Sequence, residues 1–337
     1  MSVLPENISR NGDRRRKGSN VIQSVSMIGM GALGLLFGQY MAAFLPEDKF
    51  AFVMDHARWE RHRKDEHTIN GKPVRFRMVP ADEVKEPSDL VFVGVKSPEL
   101  PAAMETMAPC VGENTTIISL MNGISSEKIL AERFGEEHVL YEASQEMDAQ
   151  RTGTDLVYTR AGRIFVGVPE GFDVHTQEIL MRRLDEVCAF FEQSSVPYVR
   201  EQDILYRQWS KWMLNVGCNQ VCMVFDAGYG PCMEEGSEAF AMMTGAMREV
   251  IALAQKKGIA IGEKELDEYL AILRTLDPNA VPSMGQDRRN GKLSEVELFA
   301  GTVLKLGREL DIETPVNAWL LRRVNEIEAP LREKSHT

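Results

Sequence analysis

Val25-Ser26-Met27-Ile28-Gly29-Met30-Gly31-Ala32-Leu33-Gly34 puts a short apolar run directly ahead of a G-x-G-x-x-G turn, with a largely apolar stretch behind it as far as Leu45. That order reads as strand, turn and helix, the context in which the glycine spacing acquires meaning. Gly29 permits the tight turn, Gly31 lets backbone approach a pyrophosphate, and Gly34 lets the helix pack closely on the strand. The free N–H groups and dipole at the helix start then favour an anion. The run Gly29, Met30, Gly31, Ala32, Leu33 and Gly34 is therefore the candidate cofactor-binding turn, with NADP or NAD as the cofactor. The competing reading, a signal peptide or membrane anchor behind Arg14, Arg15, Arg16 and Lys17, fails because polar residues and glycines break the apolar run and no cleavage site follows.

The remainder of the chain fits a cytoplasmic enzyme. At 337 residues it suits two domains. Hydrophobic residues at 44% and charged residues at 26% give a soluble globular balance. A net charge of -11 without a basic stripe argues against nucleic acid as a partner. Cys110, Cys188, Cys218, Cys222 and Cys232 have no framework spacing and read as reduced, packed thiols. Cys218 and Cys222 lie one helical turn apart, but no histidine completes a metal set, so no metal is expected.

Short β-branched runs alternate with helical patterns from Val21 to about Val199: Val25 to Ile28, Phe50 to Met54, Leu90 to Val95, Thr116 to Leu120 and Arg163 to Val168. That rhythm predicts an α/β Rossmann-type N-terminal domain with a mostly parallel sheet over 21–200. Long amphipathic segments follow: Asp203 to Phe225, Glu238 to Lys257, Glu265 to Arg274, Ser294 to Leu310 and Pro315 to Glu328. They predict an all-α C-terminal domain over 201–330. Residues 1–20 are polar and basic and read as a flexible tail. Thr314-Pro315 has the pattern of a helix start, and Ser283 with Gln286 and Ser294 with Glu297 have capping-box spacing.

Asp55 follows the second strand at the distance where a carboxylate bonds the adenine ribose, which favours NAD. Arg58, Arg61 and Arg63 offer either a clamp for the extra phosphate of NADP or merely a solvated helix face. Lys96 and Asn122-Gly123 end two further strands on the same rim, where an open α/β sheet binds its ligand. Either could instead be a surface lysine or a turn.

A carbonyl reduction on such a cofactor needs a proton donor facing the nicotinamide. No histidine occurs between His175 and His336, which turns the search to lysine. Lys211, Asn215 and Asn219 recur every fourth residue as one polar stripe on a helix flanked by Trp209, Trp212, Met213, Val216 and Val221. A lysine desolvated there would lose a proton near neutrality and attract a carboxylate substrate. Glu295, at the start of a predicted helix, is expected to stay ionised and to hold a substrate hydroxyl or balance Lys211. Ser283 is a cap or a carboxylate-binding group.

Taken together, Gly29 to Gly34, Val95-Lys96, Leu120-Met121-Asn122-Gly123, Lys211 with Asn215 and Asn219, Ser283-Met284 with Gln286-Asp287, Ser294-Glu295, and Gly307 through Thr314-Pro315-Val316-Asn317 resemble the ketopantoate reductase (2-dehydropantoate 2-reductase) family. The resemblance implies Lys211 as the acid and Asn122, Asn215, Asn219, Ser283 and Glu295 as substrate-binding groups. It also implies that Lys96 positions ligands and that the substrate is a small 2-keto acid. Asp55-His56 stands where the family often has an arginine for NADP, Ser294 replaces the usual threonine, and Gly217-Cys218 and the 221–229 segment depart from the common pattern. The expected activity is NAD(P)H-dependent reduction of 2-dehydropantoate, or a close 2-keto acid, to the D-2-hydroxy acid in pantothenate biosynthesis, with a homodimer compatible with the sequence. An NAD-linked D-2-hydroxy-acid dehydrogenase for a bulkier acid and a non-catalytic dinucleotide-binding regulator are the rivals.

Overall fold

The computed structural model describes residues 21–334; the predicted tail over 1–20 lies outside them. Strands β1 (Val25–Ile28), β2 (Phe50–Met54), β3 (His67–Ile69), β4 (Lys72–Val74), β5 (Met78–Pro80), β6 (Leu90–Val93), β7 (Thr116–Ser119), β8 (Val139–Met147), β9 (Gln150–Thr152), β10 (Asp155–Val157), β11 (Ala161–Gly167) and β12 (Tyr198–Arg200) form two sheets. The larger runs β12-β11-β8-β7-β6-β1-β2-β5. It is parallel except where β8 meets β11. Its central strands β1, β2, β6 and β7 are buried along their whole length, as expected of strands covered by helices on both faces.

The helices packed around this sheet are α1 (Ala32–Phe44), α2 (His56–His62), α3 (Leu100–Met107), α4 (Ser126–Phe134) and α5 (Val174–Ser194). The second half contains α6 (Ile204–Phe225), α7 (Tyr229–Cys232), α8 (Glu238–Lys256), α9 (Glu263–Arg274), α10 (Ser283–Arg289), α11 (Ala300–Leu310) and α12 (Pro315–Lys334). The Val21 to Leu45 run is thus a strand, a turn and a helix, and no helix among the described residues is long and apolar enough to cross a membrane.

Local chemistry explains where the principal helices start. Asp203 accepts from the Tyr206 N–H at 2.9 Å, so α6 begins with a carboxylate satisfying an otherwise orphaned donor. Ser237 does the same for α8 through Phe240 at 3.1 Å. Helix α6 then runs through the core of the helical half, burying Trp209, Trp212, Met213, Val216 and Val221, and ends where Asp226 turns left-handed at φ 51°.

Two expectations are corrected, and two features lie outside what the pattern showed. Ser283 and Gln286 form no capping box. Pro282 occupies the cap position, while Ser283 Oγ donates to Asn219 and Gln286 to the Val281 carbonyl. Ser294 does not start a helix either, because Val296–Leu298 is a single 3-10 turn and α11 begins only at Ala300. Its backbone N–H donates instead to Glu328 at 2.6 Å. Finally, β8 was missed: Glu142, Ser144, Gln145 and Glu146 give it too polar a face to read as a strand from pattern alone. The small second sheet, β4-β3-β10-β9, escaped notice because each of its strands spans three residues.

Candidate active site

The carboxyl ends of β1, β2, β6 and β7 lie side by side and open onto a cavity of about 750 Å³, within the range of ligand-holding clefts. Gly29 sits at φ +102°, a conformation that side chains resist, and an added Cβ there would stand 2.4 Å from the Gly94 carbonyl oxygen. At Gly34 a Cβ would meet the Gly29 carbonyl oxygen at 2.2 Å. The turn is therefore held tight by close backbone approach, and Gly31 caps α1 without any side-chain acceptor. The first N–H groups of α1 are left for a ligand, and that arrangement fits a dinucleotide pyrophosphate.

Gly29, Met30, Gly31, Ala32, Leu33, Asp55, Lys96, Asn122 and Glu295 all line this cavity. Gly34 lies behind the turn, where it sets the spacing between α1 and the sheet. Asp55 also caps α2, accepting from the Arg58 N–H at 2.7 Å. Arg58 reaches the cavity and pairs with Glu99 at 3.5 Å. Arg63 instead pairs with Glu60 and lies over Trp59. Sequence reasoning missed Arg151 on β9. Its guanidinium donates to the Met30 carbonyl of the glycine turn and lines the same cavity, a placement that only the pairing of the small sheet reveals.

The helical half meets this rim at two points. Lys96 Nζ donates to both carboxylate oxygens of Asp287 at 2.9 Å, joining the end of β6 to α10. Glu295 accepts from the Ser97 N–H at 3.2 Å and from the Asn122 side chain. Burial pushes the Glu295 carboxyl upward, with the Ser97 N–H, Lys96 and Asn122 pulling the other way. The expectation that a helix dipole keeps this group ionised is thus replaced by a balance between desolvation and specific donors.

Along α6, Asn219 Nδ2 donates to Asn215 Oδ1 at 3.3 Å, while Asn219 Oδ1 accepts from Ser283 Oγ at 2.8 Å and from the Met284 N–H at 3.2 Å. Lys211 begins the same stripe. Desolvation lowers its pKa, and the charges of Glu142, Glu127 and Glu295, in that order, raise it. The stripe and the sheet rim are therefore linked through Glu295, which faces both. Lys211 itself does not line the cavity beside the glycine turn. Glu142 and Glu127 were not singled out from the sequence, because nothing in their spacing relates them to Lys211.

A glycine turn on the carboxyl edge of a doubly wound sheet, met by a helical unit carrying a desolvated lysine and a half-buried carboxylate, defines a nicotinamide-nucleotide-dependent oxidoreductase. Family profiles narrow this class. The profile for ketopantoate reductase PanE/ApbA matches residues 25–171, and that for its C-terminal part matches 203–328. The chain belongs to the ketopantoate reductase family, whose members are NAD(P)-dependent oxidoreductases acting on CH–OH donors.

The chain is 26% identical to 2-dehydropantoate 2-reductase of Aquifex aeolicus over 72% of its own length and 77% of that protein. It superposes on the crystal structure of 2-dehydropantoate 2-reductase from Geobacter metallireducens with a TM-score of 0.76 and 25% identity, covering 90% of this chain and 99% of that one. D-mandelate dehydrogenase, solved with NADH and anilino(oxo)acetate, superposes with a TM-score of 0.75 at 20% identity, covering 92% and 99%.

Proposed function

We propose that this protein reduces 2-dehydropantoate, or a close 2-keto acid, to the D-2-hydroxy acid with NAD(P)H, in the cytoplasm, and that Lys211 is the proton donor. The two working units are taken as 21–200 for the cofactor and 201–330 for the substrate. The observation that carries the reading is the joint placement of Lys211 and Glu295: a lysine whose ammonium is destabilised by desolvation feels the charge of a carboxylate that lines the cofactor cavity.

The nicotinamide nucleotide, when bound, supplies the hydride. The protein's residues do the rest. Lys211 donates a proton to the developing alkoxide, and its lowered pKa makes that donation easier near neutrality than from an ordinary lysine. Its charge also attracts the substrate carboxylate. Asn122 holds the substrate from the sheet side and Glu295 from the helical half where it meets the rim, while Asn215, Asn219 and Ser283 hold it from α6 and α10. Lys96, clamped by Asp287, fixes the approach of the two halves.

Replacing Lys211 with alanine is expected to lower kcat by about 10²- to 10⁴-fold, the usual worth of a positioned general acid, while NAD(P)H still binds as judged by its fluorescence. Unchanged turnover would remove Lys211 from the role.

A second reading, an NAD-linked D-2-hydroxy-acid dehydrogenase for a bulkier acid, draws on Asp55 in the cavity wall, a charge that repels the extra phosphate of NADP. It also draws on the likeness to D-mandelate dehydrogenase with NADH. Steady-state rates for 2-dehydropantoate and for an aryl 2-keto acid, each with NADH and NADPH, separate the two. A higher kcat/KM on the aryl acid with NADH selects the second reading.

A further inference from the structure

Where α6 packs against the sheet half, two buried carboxylates act on Lys211 that the proposed chemistry does not yet use. Glu127 lies in the first turn of α4 and Glu142 on β8, and they are 1% and 3% exposed. Gln208 ties both to the working face of α6. It stands three residues before Lys211, one turn away on the same face, and its Nε2 donates to Glu127 Oε1 at 2.7 Å and to the Glu142 carbonyl at 2.8 Å.

Ser119 donates to Ser126 at 2.9 Å, and Ser126 to Glu127 Oε2 at 3.1 Å. Ser144 donates to Glu142 Oε1, whereas Glu142 Oε2 is buried with no hydrogen-bond partner among the described residues. Leaving a carboxyl oxygen unpartnered out of water is costly, which calls for a functional reason. Glu142 is also the strongest charge acting on Lys211, ahead of Glu127 and Glu295.

Two buried carboxylates cannot both ionise beside a single ammonium without leaving net negative charge in the interior. One of them therefore holds a proton at neutral pH. Consistently, desolvation raises the carboxyl of Glu127 to about 7 and that of Glu142 as well. Tyr141, next to Glu142 in sequence, is pushed to about 12 by desolvation first and by the charges of Glu127 and Glu136 after it, so its phenol stays protonated.

We propose, resting on the reading of Lys211 as proton donor, that Glu142 and Glu127 form a buried carboxylate pair that keeps Lys211 charged and returns the proton it gives to substrate. The proton count closes without an outside reagent. As the hydride forms the C–H bond, an N–H bond of Lys211 breaks and its proton forms the O–H bond of the product. The neutral amine then takes the carboxylic proton of the pair through its lone pair, leaving a carboxylate that water reprotonates once product has left. Glu142 and Glu127 touch neither substrate nor cofactor; they are positioning residues acting through Lys211.

The experiment is a direct titration of Lys211 in the full-length, substrate-free protein by NMR of lysine side chains labelled at Cε, with the resonance assigned by its loss in Lys211→Ala. Glu142→Gln is expected to move that titration down by about one pH unit or more, because it removes the carboxylate that acts most strongly on Lys211. Glu127→Gln should move it in the same direction by less, and Glu142→Asp should restore part of the loss.

In turnover with a 2-keto acid, Glu142→Gln should shift the basic limb of the kcat profile down to match. That costs about tenfold in kcat for each unit on that limb, with KM little changed. An unshifted Lys211 titration in Glu142→Gln overturns the proposal; should that variant fail to fold, an unshifted titration in Glu127→Gln does so. If the wild-type protein reduces no 2-keto acid, the proposed function fails while the titration still reads the pair.

Discussion

Gly31 and Gly34 sit three residues apart in one turn, yet they answer to different demands. A Cβ on Gly34 would strike the Gly29 carbonyl oxygen at 2.2 Å, a backbone atom that cannot move without remaking the turn. Gly34→Ala should therefore lower stability by about 1–3 kcal/mol, the cost of overpacking, and a urea melt will show it. A Cβ on Gly31 meets only the Gly94 oxygen at an ordinary 3.5 Å. Gly31→Ala should melt like the wild type but lose NAD(P)H affinity, because the added methyl occupies the space of the approaching pyrophosphate; retained affinity would contradict the assigned cofactor turn. Asn317 shows a different outcome for a motif residue. It is fully buried, donates to the Ala246 carbonyl and to Glu249, and accepts from Gln220, so its part in the family pattern is to join α6, α8 and α12.

Helix α6 carries both the core of the helical half and the polar stripe of the site, so its seating decides where Lys211 stands. Gly217 makes that seating close: a Cβ there would lie 2.6 Å from Met247 Cγ and 3.1 Å from the Met243 carbonyl oxygen on α8. Methionine can yield, backbone cannot. Gly217→Ala should cost about 1–3 kcal/mol in a denaturant melt and lower kcat more than it raises KM, since the stripe is displaced from the rim; an unchanged melt would show that α8 accommodates the methyl. The span of α6 was legible from its apolar periodicity. The start of α11 was not: Ser294 and Glu297 satisfy a capping pattern, but Glu328 on α12 takes the Ser294 N–H, and a distant partner overrides a local signal.

Across the whole molecule, the buried carboxylates make stability depend on pH in an uncommon direction. Glu127 has a folded value of about 7 against 4.5 for the free side chain. The native state thus binds its proton more tightly than the unfolded chain. Its contribution is fully present below the unfolded value and is lost as pH rises through the folded one. Between about pH 4.5 and about pH 7, wild-type stability should fall relative to Glu127→Gln, read as the difference in urea melts across that range. A difference independent of pH would mean that Glu127 is ionised throughout.

The glycine turn, the buried central strands and the long amphipathic helices could be read directly from residue order, because each depends on neighbours within one turn or one strand. Lys211 with its asparagine stripe was legible for the same reason, since a spacing of four residues is a local property of a helix. The carboxylate pair acting on it belongs to no local pattern. Glu127 and Glu142 come from a helix and a strand of the sheet half, and only the packing of α6 against β8 sets them beside Lys211. The same holds for Arg151 at the glycine turn and for the balance that acts on Glu295. Water is removed from these groups by distant parts of the chain, and the loss of water is what changes their chemistry.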